Sequence, residues 1–563
     1  MHELVIRNGV IVDGTGARRR TGDVAVAADG TIAEVGVVTG TGRTEIDAAG
    51  CLVTPGWVDV HTHYDGQVTW DPEVSPSSWH GVTTVVMGNC GVGFAPARRD
   101  GHEFLIELME GVEDIPGTAL AEGIDWVWET FPEYLDAVDA MPRVLDVAAQ
   151  VPHAALRAYV MGERAHEEPT ADEIAEMSRL TEEALRAGAV GVTSSRTILH
   201  RSKHGLVPGT DAVPDELLAL GDAMGRAGHG VFEMVSDAQG GEPDATWMAD
   251  MARRTGQTVT YALAQNGRDP GVHERALAHA RELAADGVKV VPQVACRPTG
   301  MLFGLQSSLH PFASHPTYRA IAGLPLDERV AELRRPEVRE ALLADGVGTG
   351  NPIARALMTR WHLMFPLGEL PDYEPEPSTS VAAEAERLGV QPESVALDWM
   401  LEQDGTALLF APLASYDDGN HDVIRQLITD PSTVLGLSDG GAHCGLICDA
   451  SMPTYLLTHW ARDRSRGERI ELEEVVRMQT SRTAEVYGFT DRGTIAPGLR
   501  ADLNVIDFDA LTLHAPEMVF DLPAGGRRLV QHVDGYRHTI VAGQVTFTDG
   551  EPTGARPGRL VRG

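Results

Sequence analysis

Short apolar segments alternate with amphipathic segments through the long central part of this chain. The amphipathic stretches, such as 171–186, 215–227 and 272–285, carry apolar residues at the three- and four-residue spacing of helices. Eight apolar strands separated by helices predict an α/β fold of the (β/α)₈ TIM-like barrel type, in which helices cover the strands. We place the eight strands near residues 56–63, 83–90, 154–161, 189–195, 230–236, 258–264, 288–295 and 432–439.

Both ends of the chain have a different pattern, with short strands separated by turns. Two β-rich ends around a long middle predict one small β-sandwich domain formed by residues 1–54 and 490–563, and a barrel over 55–489. The interval 300–430, between predicted strands seven and eight, is longer than one helix needs and is rich in proline and aromatic residues. We therefore predict an inserted lid-like segment there, with an ordinary solvent-exposed insertion as the alternative.

Charge and cysteine content exclude several classes of protein. With 46 Lys+Arg against 82 Asp+Glu, the net charge is −36, which argues against a nucleic-acid partner because such proteins need a basic face. No stretch approaches ~18 uninterrupted apolar residues, so a membrane span is not expected. Residues 1–7 lack the pattern of a signal peptide, and the five scattered cysteines form no disulfide framework. We expect a cytoplasmic protein.

The strongest local pattern is PGWVDVHTH at 55–63. Residues two apart in a strand point to the same face, so His61 and His63 project together at the C-terminal end of the first strand. Barrels place their active sites at that end. Two converging imidazoles are half of a divalent-metal site, although a His-x-His pair alone also fits a structural or surface role.

Two further residues occupy predicted strand ends. Cys90 closes the second strand in GVTTVVMGNCG (81–91), where its thiolate could bind a metal or its side chain could serve as a small buried hydrophobe. Asp439 ends the eighth strand in LSDGG (437–441), and ring closure would bring it beside His61 and His63. A carboxylate there could hold a metal and accept a proton from water, whereas the structural alternative is a helix N-cap.

Basic residues cluster where the barrel loops should meet. They suggest a substrate with an anionic group such as a carboxylate, and ordinary ion pairing in an acidic protein is the alternative explanation. The predicted substrate-binding residues are Arg196, Lys203 and His204 after strand four, Arg297 after strand seven, and His443 after Asp439.

These motifs resemble the amidohydrolase superfamily and, within it, the D-aminoacylase (N-acyl-D-amino-acid deacylase) branch. The resemblance covers nearly the whole chain. It is carried by HTH at 61–63, GVTTVVMGNCG at 81–91, GAVGVTSS at 188–195, VPGT at 207–210, LSDGG at 437–441, DRGTIAPGLRADLNVIDFD at 491–509, DLPAGGRRLVQHVDGYRHTIVAGQ at 521–544 and TGARPGRLVRG at 553–563.

The resemblance implies a metal-bearing barrel with a flanking β-sandwich, and hydrolysis of a carbon–nitrogen bond by zinc-activated water. It implies His61, His63 and Cys90 as metal ligands and Asp439 as the general base. Many amidohydrolases bridge two metals with a carboxylated lysine on strand four. This chain has only two lysines, Lys203 and Lys289, and neither lies in that strand, which favours Cys90 as a ligand.

The chain departs from the branch on two strands. Strands five (230–237) and six (258–265) lack the usual histidine ligands, and the expected positions hold Val235 and Leu263. Three explanations remain open. One metal could be held by His61, His63 and Asp439, with or without Cys90. Glu233 on strand five could replace a ligand, although a salt bridge to an arginine would also explain it. The barrel could instead have lost catalysis and bind a small molecule only.

The sequence therefore predicts a metal-dependent hydrolase that cleaves an amide C–N bond of an N-acyl (D-)amino acid or a related small molecule, with one or two Zn²⁺ ions. Hydrolysis of a cyclic amide or imide, or deamination, is the alternative within the superfamily. A non-catalytic small-molecule-binding barrel is the alternative from another class. A homo-oligomer is left open.

Overall fold

A ring of eight parallel strands forms the centre of the computed structural model, which describes residues 1–345 and 352–563. Each strand pairs with the next in chain order, and a parallel bridge between Thr62 and Gly440 joins the first to the last. The predicted fold class is confirmed. The barrel strands one to eight are Trp57–Asp59, Val82–Met87, Asp146–Pro152, Gly191–Arg196, Val231–Ser236, Thr258–Ala262, Val290–Val294 and Val434–Leu435.

One predicted strand position was wrong. The structure forms a helix over His153–Met161, where we expected strand three, and the strand precedes it at Asp146–Pro152. The helical segment is rich in alanine, the residue with the highest helix propensity. Gln150, whose Nε2 donates to Asn89 at 2.9 Å, interrupts the apolar pattern of the true strand, and Asp146 at the start of the strand is fully buried and paired with Arg492 and Arg500. A paired carboxylate is therefore compatible with that buried position.

Helices surround the barrel, and local signals fix their ends. For Ala171–Ala187, Thr170 and Glu173 form a reciprocal capping box at the start, and Gly188 ends the helix with a φ of 119°. The described part of the chain contains α-helices at His102–Glu113, Gly117–Gly123, Phe131–Ala140, His153–Met161, Ala171–Ala187, Pro214–Ala227, Asp244–Thr255, Val272–Ala285, Pro316–Arg319, Leu326–Leu333, Pro336–Asp345, Pro352–Met358, Val381–Leu388, Pro392–Met400, Asp422–Ile428, Met452–Tyr455, Leu472–Met478 and Ser481–Val486, and a π-helix at Leu456–Asp463.

The two chain ends form one nine-stranded mixed sheet. Leu4 and Ile6 pack into one apolar cluster and Val5, between them, into another, so both faces of the sheet are covered. The boundaries 1–54 and 490–563 stay predictions. The strands are His2–Ile11, Arg20–Val26, Ile32–Gly36, Gly42–Asp47, Leu52–Pro55, Leu503–Ile506, Tyr536–Val541, Gln544–Thr548 and Glu551–Pro552.

A separate hairpin of Thr512–Leu522 and Gly526–Asp534 leaves this sheet and packs on the barrel. The Leu529 amide donates to the Cys444 carbonyl at 2.6 Å, in the loop that follows barrel strand eight. Residues of the C-terminal strand region thus contact the end of the barrel where active sites lie.

The predicted insertion at 300–430 has its own apolar core, which includes Phe303, Phe312 and Leu397. Residues 346–351 of this segment lie outside the described residues. The insertion contains a three-stranded antiparallel sheet of Gly300–Phe303, Leu409–Pro412 and Phe365–Pro366. A further two-stranded sheet, Arg201–Ser202 with Gly205–Leu206, follows barrel strand four.

Among the residues that the structure describes, no helix has both the length and the apolarity needed to cross a bilayer.

Candidate active site

Two histidines lie immediately beyond barrel strand one. His61 and His63 are each about 1% exposed in their side chains, and their ring centroids are 5.5 Å apart. The backbone holds them against the segment after strand eight: the His63 amide donates to Gly440 at 2.7 Å, and the Asp439 amide donates to His61 at 3.1 Å. The junction that closes the ring therefore positions the histidine pair.

Hydrogen bonding fixes the ring orientation of His61. Its Nδ1 lies 2.9 Å from Oε1 of Gln293 on strand seven, whose Nε2 donates to Thr260 and Tyr487. The amide oxygen can only accept, so Nδ1 carries the proton. The lone pair of Nε2 then faces Cys90 Sγ at 3.3 Å and Asp439 Oδ1 at 3.4 Å.

Cys90 lies three residues beyond the end of strand two, in the turn Asn89–Gly91. Its φ is 55°, and its amide donates to Glu233 Oε2 at 3.0 Å, so strand five holds the turn in place. Gly91 must be glycine: a Cβ there would lie 2.9 Å from the backbone of Ser194, and its φ is 73°. The close approach to strand four directs the thiol towards His61.

Asp439 completes the group from the other side of the junction. Its Oδ1 lies 3.4 Å from His61 Nε2 and 3.7 Å from His63 Nε2, and its side chain is 14% exposed. Burial opposes ionisation of this carboxyl, but the contact with His63 and the neighbouring imidazoles of His61 and His443 outweigh burial and hold the pKa below its usual range. The carboxylate is therefore charged at neutral pH.

Two further carboxyl groups are almost completely buried beside the histidines. Glu233 Oε1 lies 3.8 Å from His61 Nδ1, and Glu113 Oε1 lies 3.4 Å from His63 Nδ1. Burial raises the pKa of Glu233 to about 7 and, with repulsion from Asp439, raises the pKa of Glu113 well above its usual value. Burial also lowers the pKa of His63 to about 4. Anionic forms of these acids require a nearby cation.

The donor set fits a divalent metal ion. One ligand atom from each of His61, His63 and Cys90 lies within 4.8 Å of the other two, and all three residues are buried. Both ring nitrogens of His63 lack a hydrogen-bond partner in the part of the chain that the structure describes. Burial raises the pKa of the Cys90 thiol, yet a coordinating thiol loses its proton to the metal. Imidazole, thiolate and carboxylate together suit zinc.

The predicted substrate-binding residues do not all converge on this site, and every one of them has a carboxylate partner. Arg297 is fully buried, with Asp449 at 2.9 Å and the ring of Tyr373 stacked on its guanidinium. Only His443, 3.6 Å from Glu113, directly adjoins the residues described above. The other pairs are Arg196 with Asp244, and both Lys203 and His204 with Glu107.

Strands five and six contain no histidine, as the sequence indicated. Val235 is half-buried and Leu263 is buried. Of the two explanations for Glu233, a salt bridge to an arginine has no support within residues 1–345 and 352–563, where no arginine lies within ion-pair distance of it. Its contacts are the Cys90 amide and His61.

Sequence reasoning missed two residues of the site. A glutamine inside the apolar strand Val290–Val294 is a visible anomaly, because a buried amide needs partners, and it could have identified Gln293. Glu113 ends the helix His102–Glu113, and no local pattern distinguishes it from the exposed glutamates of the same helix.

A second group of ligand-type residues, Glu374, His421 and His459, lies elsewhere in the described chain. Arg464 donates to both oxygens of Glu374 at 3.0 and 3.1 Å, and the His421 amide donates to the same carboxylate at 2.7 Å. The arginine already supplies the positive charge, so this group is an ion-pair network.

Comparison with known proteins gives the fold and the site a context. The sequence profile described as the amidohydrolase family matches residues 44–547, which is most of the chain. The chain belongs to the amidohydrolase family. It is therefore an enzyme, a hydrolase that acts on carbon–nitrogen bonds other than peptide bonds, and the predicted membership is confirmed.

Relatives named as deacylases align with this chain over nearly its full length. This amidohydrolase is 26% identical to N-acyl-D-aspartate deacylase of Alcaligenes xylosoxydans xylosoxydans, covering 99% of this chain and 95% of the relative. An uncharacterised protein of Mycobacterium tuberculosis is 28% identical, covering 98% and 92%.

Among solved structures, D-aminoacylase superimposes with a TM-score of 0.66 at 23% identity, covering 100% of both chains. N-acyl-D-glutamate deacylase of Bordetella bronchiseptica, complexed with zinc and a phosphonate inhibitor, has a TM-score of 0.65 at 24% identity and covers 100% of both chains. These likenesses support the barrel fold.

Proposed function

We propose that this amidohydrolase removes the acyl group from an N-acyl amino acid, of D configuration, by metal-assisted hydrolysis of the amide bond. The observation that carries the proposal is the convergence of ligand atoms from His61, His63 and Cys90 within 4.8 Å, with Asp439 3.4 Å from His61. The substrate class comes from the relatives, whose names are D-aminoacylase and the deacylases of N-acyl-D-aspartate and N-acyl-D-glutamate.

His61, His63, Cys90 and Asp439 are the residues that would hold zinc, as one or two ions, and Glu233 is a further ligand in place of a missing histidine. Glu233 accepts the Cys90 amide with Oε2, and its Oε1, 3.8 Å from His61 Nδ1, has no hydrogen-bond partner within residues 1–345 and 352–563 and is available to this donor set. A divalent metal ion in such a site supplies Lewis acidity, which polarises the scissile carbonyl and lowers the pKa of water towards ~7.

Asp439 has the position of the general base. It is ionised, because its pKa is held below the usual range, and it is the most exposed of the four ligand-type residues at 14%. Substrate and water approach from that exposed side. Asp439 would accept the proton of the attacking water and deliver it to the leaving nitrogen, which cannot depart as an anion.

We propose that the basic residues at the barrel loops bind the carboxylate group of the substrate. His443 is the best placed, since it follows Asp439 and its side chain is 22% exposed. For Arg196, Lys203, His204 and Arg297, binding would require exchange of a carboxylate partner for the substrate. Location in the cytoplasm and assembly into a homo-oligomer are further predictions from the sequence.

A panel of N-acetyl-D-amino acids and their L enantiomers, assayed by release of the free amine, tests the proposal. We expect hydrolysis of at least one D substrate with a kcat/KM at least ~10-fold above that of its enantiomer, since the two place different groups in the site. Activity should disappear after dialysis against a chelator and return with Zn²⁺. Hydrolysis of cyclic amides alone, or no amide hydrolysis by zinc-loaded protein, would reject this substrate class.

Cys90→Ala is expected to weaken zinc binding by more than ~100-fold, because loss of a direct ligand costs more than the ~10- to 100-fold lost with an outer-shell partner. Metal content after dialysis against graded chelator concentrations measures the effect. Cys448→Ala is the matched control, because Cys448 is also a free cysteine with 5% exposure. Equal zinc retention by the parent and Cys90→Ala would show that Cys90 only packs.

A further inference from the structure

Glu113 lies between two histidines of the site although it belongs to no barrel strand. Its side chain is 1% exposed, with Oε1 3.4 Å from His63 Nδ1 and Oε2 3.6 Å from His443 Nε2. It is the last residue of the helix His102–Glu113, in the long connection between barrel strands two and three. One carboxylate thus adjoins both the histidine pair and the loop that follows Asp439.

The backbone holds this helix end in position. Asp114 ends the helix with a φ of 51°, and its carboxylate accepts hydrogen bonds from the Gly445 amide at 3.1 Å and the Ser308 hydroxyl at 2.7 Å. The His443 amide also donates to the Glu113 carbonyl. Because these contacts tie the end of the helix to two different loops, they fix the backbone of Glu113 beside the site.

Glu113 and His63 have complementary unpaired atoms. Among the described residues, neither ring nitrogen of His63 has a hydrogen-bond partner, and neither does Glu113 Oε1. Buried polar atoms in folded proteins nearly always have a hydrogen-bond partner. A protonated Nδ1 donates a hydrogen bond, and a carboxylate oxygen accepts one. His61 has the equivalent arrangement, with Nδ1 paired to Gln293 and Nε2 facing Asp439 and Cys90.

We propose that Glu113 is the positioning residue of His63. It accepts a hydrogen bond from the Nδ1–H group and so leaves the lone pair of Nε2 directed towards Asp439, where a metal would bind. The proposal rests on the proposed function, because the benefit of this orientation is metal affinity. A carboxylate partner strengthens the binding of an imidazole to a metal ion more than an amide partner does.

Glu113→Gln tests the proposal, because it keeps the shape of the side chain and removes the charge. We expect zinc affinity to fall by about 10- to 100-fold, the usual cost of losing an outer-shell carboxylate. Competition between the protein and a chelator for Zn²⁺ alone measures this affinity. Activity should return towards the parent value at excess Zn²⁺. Glu103→Gln, in the exposed first turn of the same helix, should leave the affinity unchanged.

Thermal unfolding separates positioning from a structural role. A metal ion that binds only the folded state raises Tm. If Glu113→Gln binds zinc more weakly, the Tm of its zinc-loaded form should exceed that of its metal-free form by less than in the parent. The Tm of the metal-free variant should stay near that of the metal-free parent. Equal lowering of both Tm values, or parent-like zinc affinity, would overturn the proposal. Failure of the parent itself to bind zinc would instead reject the proposed function.

Glu113→Asp covers the case in which the glutamine variant does not fold. It keeps the charge but withdraws the carboxylate by one methylene, so we expect zinc affinity below that of the parent. Parent-like affinity in this variant would show that the distance from Glu113 to His63 is immaterial, which contradicts positioning.

Discussion

Asp439→Asn is expected to lower kcat by about 10³-fold, within the range that a positioned general base contributes. Asparagine keeps the size of the side chain and an oxygen that can bind a metal, but it cannot accept a proton from water. Zinc content should therefore remain at or near that of the parent while turnover falls. Steady-state kinetics on the best substrate of the enantiomer panel, with metal analysis of the same samples, measures both quantities.

Asp286→Asn serves as the control, because this exposed aspartate precedes strand seven and lies at the opposite end of the barrel. It should leave kcat unchanged. An Asp439→Asn enzyme with a kcat within 10-fold of the parent and full zinc content would remove Asp439 from the proton-transfer role.

His61→Ala is expected to abolish both tight zinc binding and activity. The imidazole Nε2 faces Cys90 at 3.3 Å and Asp439 at 3.4 Å, so the substitution removes the ligand that lies between Cys90 and Asp439. We expect zinc affinity to fall by more than 100-fold, beyond the range for outer-shell partners. Elemental analysis after gel filtration without added metal, together with the amide hydrolysis assay, provides the measurement.

His514→Ala, on the exposed face of the hairpin, is the matched histidine control and should retain zinc and activity. The metal-free His61→Ala protein should keep the circular dichroism of the parent, which distinguishes loss of a ligand from loss of the fold. Parent-like zinc content in His61→Ala would contradict the proposed ligand set.

The sequence led to the centre of the site because strand ends of a barrel meet at one face. His61, His63 and Asp439 each follow an apolar run that stops at a predicted strand end, and the ring places the last strand beside the first. Strand alternation and barrel closure are general rules, so these three residues could be brought together without coordinates. The structure places Asp439 within 3.7 Å of both histidines.

The positions of other residues of the site depend on long-range contacts that no local sequence pattern indicates. Cys90 faces His61 through a left-handed turn beyond its strand, and Glu113 reaches the site from a helix end held by Asp114. The wrong prediction of strand three, at residues that form the helix His153–Met161, has a different cause. There, two buried polar residues, Asp146 at the start of the strand and Gln150 inside it, hid the apolar character of the strand, and their partners Arg492 and Asn89 lie far away in the sequence.

The organisation of the C-terminal region was only partly visible in the sequence. Its strand pattern predicted a β-rich unit, but did not separate the hairpin Thr512–Leu522 and Gly526–Asp534 from the nine-stranded sheet. Arg528 donates to the Ser75 carbonyl at 2.9 Å, and this contact joins positions far apart in the sequence. Such long-range pairing is set by the tertiary fold.

The bridge between Thr62 and Gly440 has a consequence for biosynthesis. A nascent chain emerges with His61, His63 and Cys90 long before Asp439, and it cannot form this bridge until residue 440 of the 563 has left the ribosome. Contacts so distant along the chain form late in folding. Zinc captured earlier would meet imidazole and thiol groups without their carboxylate, so the complete centre would be acquired late in maturation.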